Sequence, residues 1–366
     1  MQALANLLED SGVDLDNLID VGRIDKISGG TWTTGMKVRD ADGNESIEYA
    51  EQSRAGWVIS PSWEDGPKWP VLQPGPTFNV QYQKPSGTGN DDIKPSDGWR
   101  SIVCLPDMQA PFHCERAADI ALEIVGEIQP NVVVLHGDNL DLESMSRFRQ
   151  HPSFAGGAQL AIDYMTLFCA ELRSAAGPDA EIVWIQGNHE QRLENYALDN
   201  AAASFGLKKG KHPNKEWKDR PNLSVPELCE LDESGVTYLE GYPANHYWFQ
   251  DNVRIVHGHY TGQSAHTKYL AEGVTTVFGH THHRIWAEKV LADGRLIHAI
   301  SPGALCSVDG TVPGQMTGYD FDGPVRQPVN WQQGVLVGYG DGDQFIPEMV
   351  PIRGGRAMFR GRLLGV

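Results

Sequence analysis

No run of apolar residues in this 366-residue chain approaches the roughly 18–20 needed to span a bilayer, so no membrane protein is expected. Cysteine is scarce and lacks a pairing pattern. Cys104, Cys114, Cys169, Cys229 and Cys306 are odd in number and form no C-x-x-C, which argues against a disulfide framework or a zinc ribbon. Reduced thiols in a cytoplasm are the expectation. Positive charge is also in short supply. Thirty Lys and Arg stand against 48 Asp and Glu, a net charge of −18, so the chain repels polyanions at long range. That disfavours generic coating of nucleic acid, although a basic patch or a bound metal can reverse the sign locally. The opening residues, MQALANLLEDSG, have no basic segment and do not read as a secretory leader. Gly and Pro, at 40 and 22, stay below low-complexity levels, and 40% apolar residues suffice for a sizeable core.

The chain changes texture along its length. Residues 3–20 have the apolar spacing of a short helix, and Asp42-Gly43 between two alternating runs predicts a hairpin. Trp57, Trp63 and Trp69 recur among prolines as the expected centre of a small core. Residues 1–83 therefore read as a small α+β domain. The segment 84–98, KPSGTGNDDIKPSDG, has a linker composition. Residues 99–350 then alternate short apolar strands with amphipathic helices, which predicts an α/β sheet. The end, IRGGRAMFRGR, reads as a basic C-terminal tail over 351–366.

Each apolar run in the larger part ends in a polar tip. In order these are Asp107-Met-Gln109, Gly137-Asp138-Asn-Leu-Asp141, Gly187-Asn188-His189-Glu190, His257-Gly-His259 and Gly279-His280-Thr-His282. Open sheets gather their chemistry at the carboxyl ends of strands. Singly, each tip is an ordinary turn or surface histidine. Together, five tips of metal-ligand residue types in succession specify a site.

This set resembles the calcineurin-like metallophosphoesterases, over roughly residues 100–305. The family pattern is D-x-H, G-D-x-x-D, G-N-H-[D/E], a His followed by Gly, and G-H-x-H. The resemblance implies a four-layer αββα sandwich of two mixed sheets and a hydrolase holding two divalent metal ions, which suits Mn, Fe or Zn. It implies that Asp138 bridges the metals, that Asp107 and His282 ligate the first, and that Asn188, His257 and His280 ligate the second. A metal-bridging hydroxide would attack phosphorus. His189 would protonate the leaving oxygen, with Asp141 fixing its tautomer; a helix cap is the other reading of Asp141. The variants Asp-x-Gln-x-Pro-Phe-His and Trp331-Gln-Gln-Gly look like those of bacteriophage genomes, which implies a host cytoplasm as location.

One position departs from the family pattern. Gln109 stands where a His is usual. Two arrangements are open: the amide oxygen ligates more weakly, or it hydrogen-bonds while a neighbour such as His113 substitutes. Between the third and fourth tips, Lys208, Lys209, Lys211, Lys215, Lys218 and Arg220 face only Glu216 and Asp219. This stretch reads either as a lid gripping a polyanion or as a solvated loop. Arg192 is a candidate phosphate clamp, with Glu190 and Glu194 as competing partners. The expected function is phosphodiester hydrolysis. One alternative is a DNA or RNA nuclease of the same superfamily. Another, of a different class, is a degenerate core acting as a binding or assembly protein.

Overall fold

The structure is a computed structural model. It describes residues 23–39, 45–60, 98–148, 156–214, 217–262, 264–320, 323–326 and 329–365. The chain divides into two compact units, Met1–Gly89 and Asn90–Val366. In the first, β1 (Arg23–Arg39) and β2 (Glu45–Ser60) pair antiparallel, with Arg39 opposite Glu45. The helix expected over 3–20, the Asp42-Gly43 turn, Trp63, Trp69 and residues 84–97 lie outside the described residues.

The second unit is built on two mixed sheets. The first is eight-stranded and runs β17-β16-β15-β14-β3-β4-β5-β6. Its parallel core is β3 (Arg100–Leu105), β4 (Val132–Leu135), β5 (Glu181–Ile185) and β6 (Val236–Leu239). Its antiparallel half is β14 (Gln333–Gly340), β15 (Phe345–Arg353), β16 (Arg356–Phe359) and β17 (Arg362–Leu364). The second, five-stranded, runs β10-β11-β9-β8-β7. Its strands are β7 (Tyr247–Phe249), β8 (Val253–Val256), β9 (Thr275–Phe278), β10 (Arg284–Val290) and β11 (Leu296–Pro302), while β12 (Met316–Asp320) and β13 (Gly323–Arg326) pair with each other separately.

Alternation along the strands explains the layers. Successive side chains of a strand point to opposite faces. Ile102, Cys104, Val132, Val134, Val183 and Ile185 therefore face the second sheet and meet Phe249, Val253, Ile255, Val277 and Ile300. Their neighbours Val103, Leu105, Val133, Leu135, Ile182 and Trp184 face the other way. There they meet α1 (Glu115–Ile128) and α2 (Gly157–Ala176) through Ile120, Ile124, Phe168 and Leu172. Strands buried on both faces have to be apolar throughout, which is why they read as unbroken runs. Each such Val, Leu or Ile stabilises the fold by about 1.5–3 kcal/mol. The second sheet's outer face carries α3 (Ala265–Ala271), whose Ala265 and Tyr269 pack on Val256, Phe278 and Ala299. The result is the four-layer αββα sandwich expected from the sequence.

The C-terminal residues correct the sequence reading. Instead of a basic tail, 356–359 and 362–364 form the last two strands of the sheet, β16 and the edge strand β17. Ala357, Phe359 and Leu364 are buried beneath the exposed arginines. Arg362 reaches Glu127 of α1 at 2.9 Å.

Candidate metal centre

The parallel strands of both sheets deliver the polar tips to one place. Asp107 follows β3, Asp138 follows β4, Asn188 follows β5, His257 follows β8 and His280 follows β9. Backbone hydrogen bonds lace these tips together. Gln109 N–H donates to Asp138 O at 2.8 Å, Asp141 N–H to Ala110 O at 2.8 Å, and Gly279 N–H to His257 O at 2.9 Å. Asp107, Gln109, Asp138, His280 and His282 all take positive φ, between 28° and 66°. Such backbone costs on the order of 1–3 kcal/mol per residue and gathers where surrounding contacts impose it. Two glycines permit the close approach. A Cβ on Gly187 would lie 2.2 Å from Asp138 Oδ1, and one on Gly279 would lie 2.6 Å from Asp107 Oδ2.

The side chains form one cluster, in which Asp107, Gln109, Asp138, His257 and His282 are buried and Asn188 and His280 half-buried. His257 donates Nδ1–H to the His136 carbonyl at 2.9 Å. A carbonyl only accepts, so this bond fixes the tautomer and aims Nε2 inward. Nε2 lies 3.1 Å from Asp138 Oδ2 and 3.0 Å from Asn188 Oδ1. Ligand atoms of Asp138, His257 and His280 fall within 4.8 Å of one another. Beside them, His282 Nε2 is 3.4 Å from Asp107 Oδ1 and 3.3 Å from Gln109 Nε2. Asp107 Oδ1 and Oδ2 accept the His280 N–H at 3.0 and 3.1 Å. Burial works against charge on Asp138, but His189, His257 and His280 outweigh it and hold its carboxyl well below the ordinary range. Burial likewise opposes charge on His257, yet Asp138, Asp107 and Glu190 raise it to about 9. His280, buried beside His257, is lowered to about 4.

His189 and Asp141 pair next to this cluster. His189 Nδ1 donates to Asp141 Oδ1 at 3.0 Å, so Asp141 is an imidazole partner and not a helix cap. Burial opposes a charged ring, but Asp138 and Asp141 raise its proton affinity overall. Arg192 corrects the sequence reading, because neither Glu190 nor Glu194 is its partner. Its Nη1 donates to Asp141 Oδ1 at 2.8 Å and to Asp141 O at 2.7 Å. Its Nη2 donates to His189 Nε2 at 2.9 Å, which makes the ring neutral in this arrangement. Glu194 takes Gln186 instead.

The basic stretch is placed differently from the cluster residues. Lys208 pairs with Asp219, Lys209 with Glu227, and Lys211 lies 4.3 Å over the Trp217 ring. His113 stacks on Tyr164 at 3.5 Å. Two contributors had no role assigned from sequence. Glu190 is fully buried and accepts the N–H groups of Asp138, Asn139, Leu140 and Gly187. Trp331 lies with its ring centroid 3.9 Å from that of His282. Glu190 was visible in its motif, and Trp331 in the Trp-Gln-Gln-Gly run, but no sequence pattern ties either to a contact.

These residues fit divalent cations. The buried Gln109 Oε1 has no hydrogen-bond partner among the described residues. An orphaned buried acceptor costs about 1–3 kcal/mol unless something replaces its donor. Two buried carboxylates among imidazoles and amides have the makeup of a cation cradle.

Comparison with known proteins agrees with this geometry. The family profile described as calcineurin-like phosphoesterase matches residues 100–284, half of the chain. The Gene 54 protein of Mycobacterium phage D29 is 28% identical over 279 residues, covering 72% of this chain and 98% of that protein. The Gene 54 protein of Mycobacterium phage L5 is 26% identical over 279 residues, with the same coverage. A solved structure, Vacuolar Protein Sorting 29 from Cryptosporidium parvum, aligns over 71% of this chain and 95% of its own at 13% identity and a TM-score of 0.33. Among the described residues no helix is long and apolar enough to cross a membrane. The chain belongs to the calcineurin-like phosphoesterases, hydrolases that act on phosphoester bonds.

Proposed function

We propose that the chain is a binuclear metal-dependent phosphodiesterase. The observation that carries this is the cluster of buried Asp138 and His257 with half-buried Asn188, and the His189–Asp141 pair at its side. Asp107, Gln109, Asp138 and His282 would hold one cation. Asp138, Asn188, His257 and His280 would hold the other. When bound, two divalent cations acidify water and neutralise phosphoryl oxygens. The mixed nitrogen and oxygen donors suit Mn, Fe or Zn better than Mg or Ca.

The protein residues supply the rest. Asp141 holds the His189 Nδ1–H, which leaves Nε2 to carry a proton to the departing oxygen. Arg192 braces Asp141 and covers Nε2 before substrate enters. A diester fits this side of the site better than a monoester. Among the described residues the guanidinium beside His189 is that of Arg192, already bonded to Asp141, and a diester brings one negative charge where a monoester brings two.

The test is hydrolysis of bis-p-nitrophenyl phosphate by metal-stripped protein refilled with Mn, beside Asp138→Asn. Mn-dependent turnover lost in the variant supports the reading. No turnover together with fewer than two bound Mn would replace it with a binding or assembly role.

A further inference from the structure

His257 and His282 are held in different ways. A metal-binding imidazole ordinarily has its second nitrogen hydrogen-bonded, which fixes ring orientation. His257 follows this rule through the His136 carbonyl. His282 does not, because its buried Nδ1 has no hydrogen-bond partner among the described residues. Its backbone sits at φ 54°. What holds it is the segment entering β14.

That segment grips His282 at two points and the nearby Arg284 at a third. Gln332 N–H donates to His282 O at 2.8 Å. Gln332 Oε1 accepts the Arg284 N–H at 2.9 Å. Between them the Trp331 ring meets the imidazole at 73° with centroids 3.9 Å apart. Trp331 is itself seated against Ala304, Cys306 and Val312. Gly314 lies beneath it, where a Cβ would come within 3.4 Å of the indole. A side chain wedged on both sides has little rotational freedom and passes that constraint to the ring it touches. The segment also lies beyond residues 100–284, so this contact is not part of the matched family region.

We infer that Trp331 is the positioning residue of the Asp107–Gln109–His282 cation site, replacing by ring packing the hydrogen bond that His282 lacks. This rests on the binuclear reading above. Its consequence is local. Loss of the indole frees the His282 ring and weakens one cation site, while Asn188, His257 and His280 keep theirs.

The experiment is calorimetric titration of metal-stripped full-length protein with Mn, for the wild type, Trp331→Leu, Trp331→Met and Trp331→Phe, with thermal melts alongside. The expected result is one Mn bound about 10- to 100-fold more weakly in the Leu and Met variants and the other unchanged. Phe, which keeps an aromatic edge, should restore most of the loss. Two Mn bound as in the wild type by Leu or Met would overturn the inference. So would parallel weakening of both sites, or failure of both variants to fold, since either assigns Trp331 to general packing. Fewer than two Mn in the wild type would remove the binuclear reading and this inference with it.

Discussion

Glu190 Oε2 accepts the backbone N–H of Asp138 at 2.9 Å, tying the β5 tip to the residue at the centre of the cluster. The same oxygen takes Gly187 N–H at 2.8 Å, and Oε1 takes those of Asn139 and Leu140 at 2.7 and 3.2 Å. Four donors on one fully buried carboxylate hold two loops in register. Glu190→Gln puts an amide nitrogen where one oxygen stood, and two N–H groups then face a donor. We predict a loss of about 2–5 kcal/mol in urea unfolding, from two buried donors left unsatisfied. Mn affinity should fall about 10- to 100-fold because Asp138 is no longer pinned. Unchanged Mn binding would show that the loop holds its shape without this carboxylate.

The pairing of His189 with Asp141 leads to a prediction that depends on the leaving group. p-Nitrophenolate departs at neutral pH without a proton, whereas an alkoxide does not. His189→Ala should therefore cost about 10²- to 10⁴-fold in kcat on an alkyl phosphodiester, the usual worth of a positioned general acid. On bis-p-nitrophenyl phosphate the loss should be far smaller. Equal losses on both substrates would assign His189 to substrate binding and not to proton delivery.

Much of the fold was legible because its strands are buried on both faces. Runs such as NVVVLHGD announce a central strand and its catalytic end together, and Asp138 falls where the run predicts. The C-terminal strands were illegible for the opposite reason. β17 is the sheet's edge and β16 lies next to it; both carry arginines on the open face, and that outer row hid the alternation of Ala357 and Phe359. Partner choice was the other gap. Arg192 had two nearby acids in sequence, yet it bonds Asp141 across 51 positions. Chain distance says nothing about which loops the sheets bring together. Trp331 and His282 meet for the same reason, since Gln332, just before β14, hydrogen-bonds His282 O and the Arg284 N–H at the start of β10.

His113 gives a pH prediction. Its ring is buried against Tyr164, and both nitrogens lack hydrogen-bond partners among the described residues. Burial lowers it to about 4. In the unfolded chain an ordinary His takes up its proton near 6.5, so between those values the unfolded state binds more protons. Stability from this residue is thus complete above about 6.5 and is lost as pH falls toward 4, by on the order of 3 kcal/mol. His113→Phe keeps the stack and removes the titration. Unfolding measured from pH 7 to 4.5 should show the variant gaining on the wild type as pH falls. Parallel curves would mean that the imidazole finds a partner or water at low pH.

The basic stretch bears on nucleic acid as a substrate. Lys208, Lys209, Lys218 and Arg220 pair with Asp219, Glu227 and Asp232, while Lys211 lies over Trp217. The lysines of these pairs are well exposed and their pairs individually weak, so they can open, whereas Arg220 is largely buried between Glu227 and Asp232. What a polyanion meets is the net charge of the patch. Five described cations against three carboxylates leave about two, and Lys215 and Glu216 cancel in sequence. A protein that neutralises Z phosphates of a single strand loses affinity with a log–log salt slope of about −0.7Z. Single-stranded DNA should therefore bind this chain with a slope of about −1.4. Fluorescence anisotropy from 50 to 300 mM NaCl measures it. A slope steeper than about −4 would require some six phosphate contacts. That is more than the net charge of this patch supports, and it would favour the nuclease reading over a small phosphodiester.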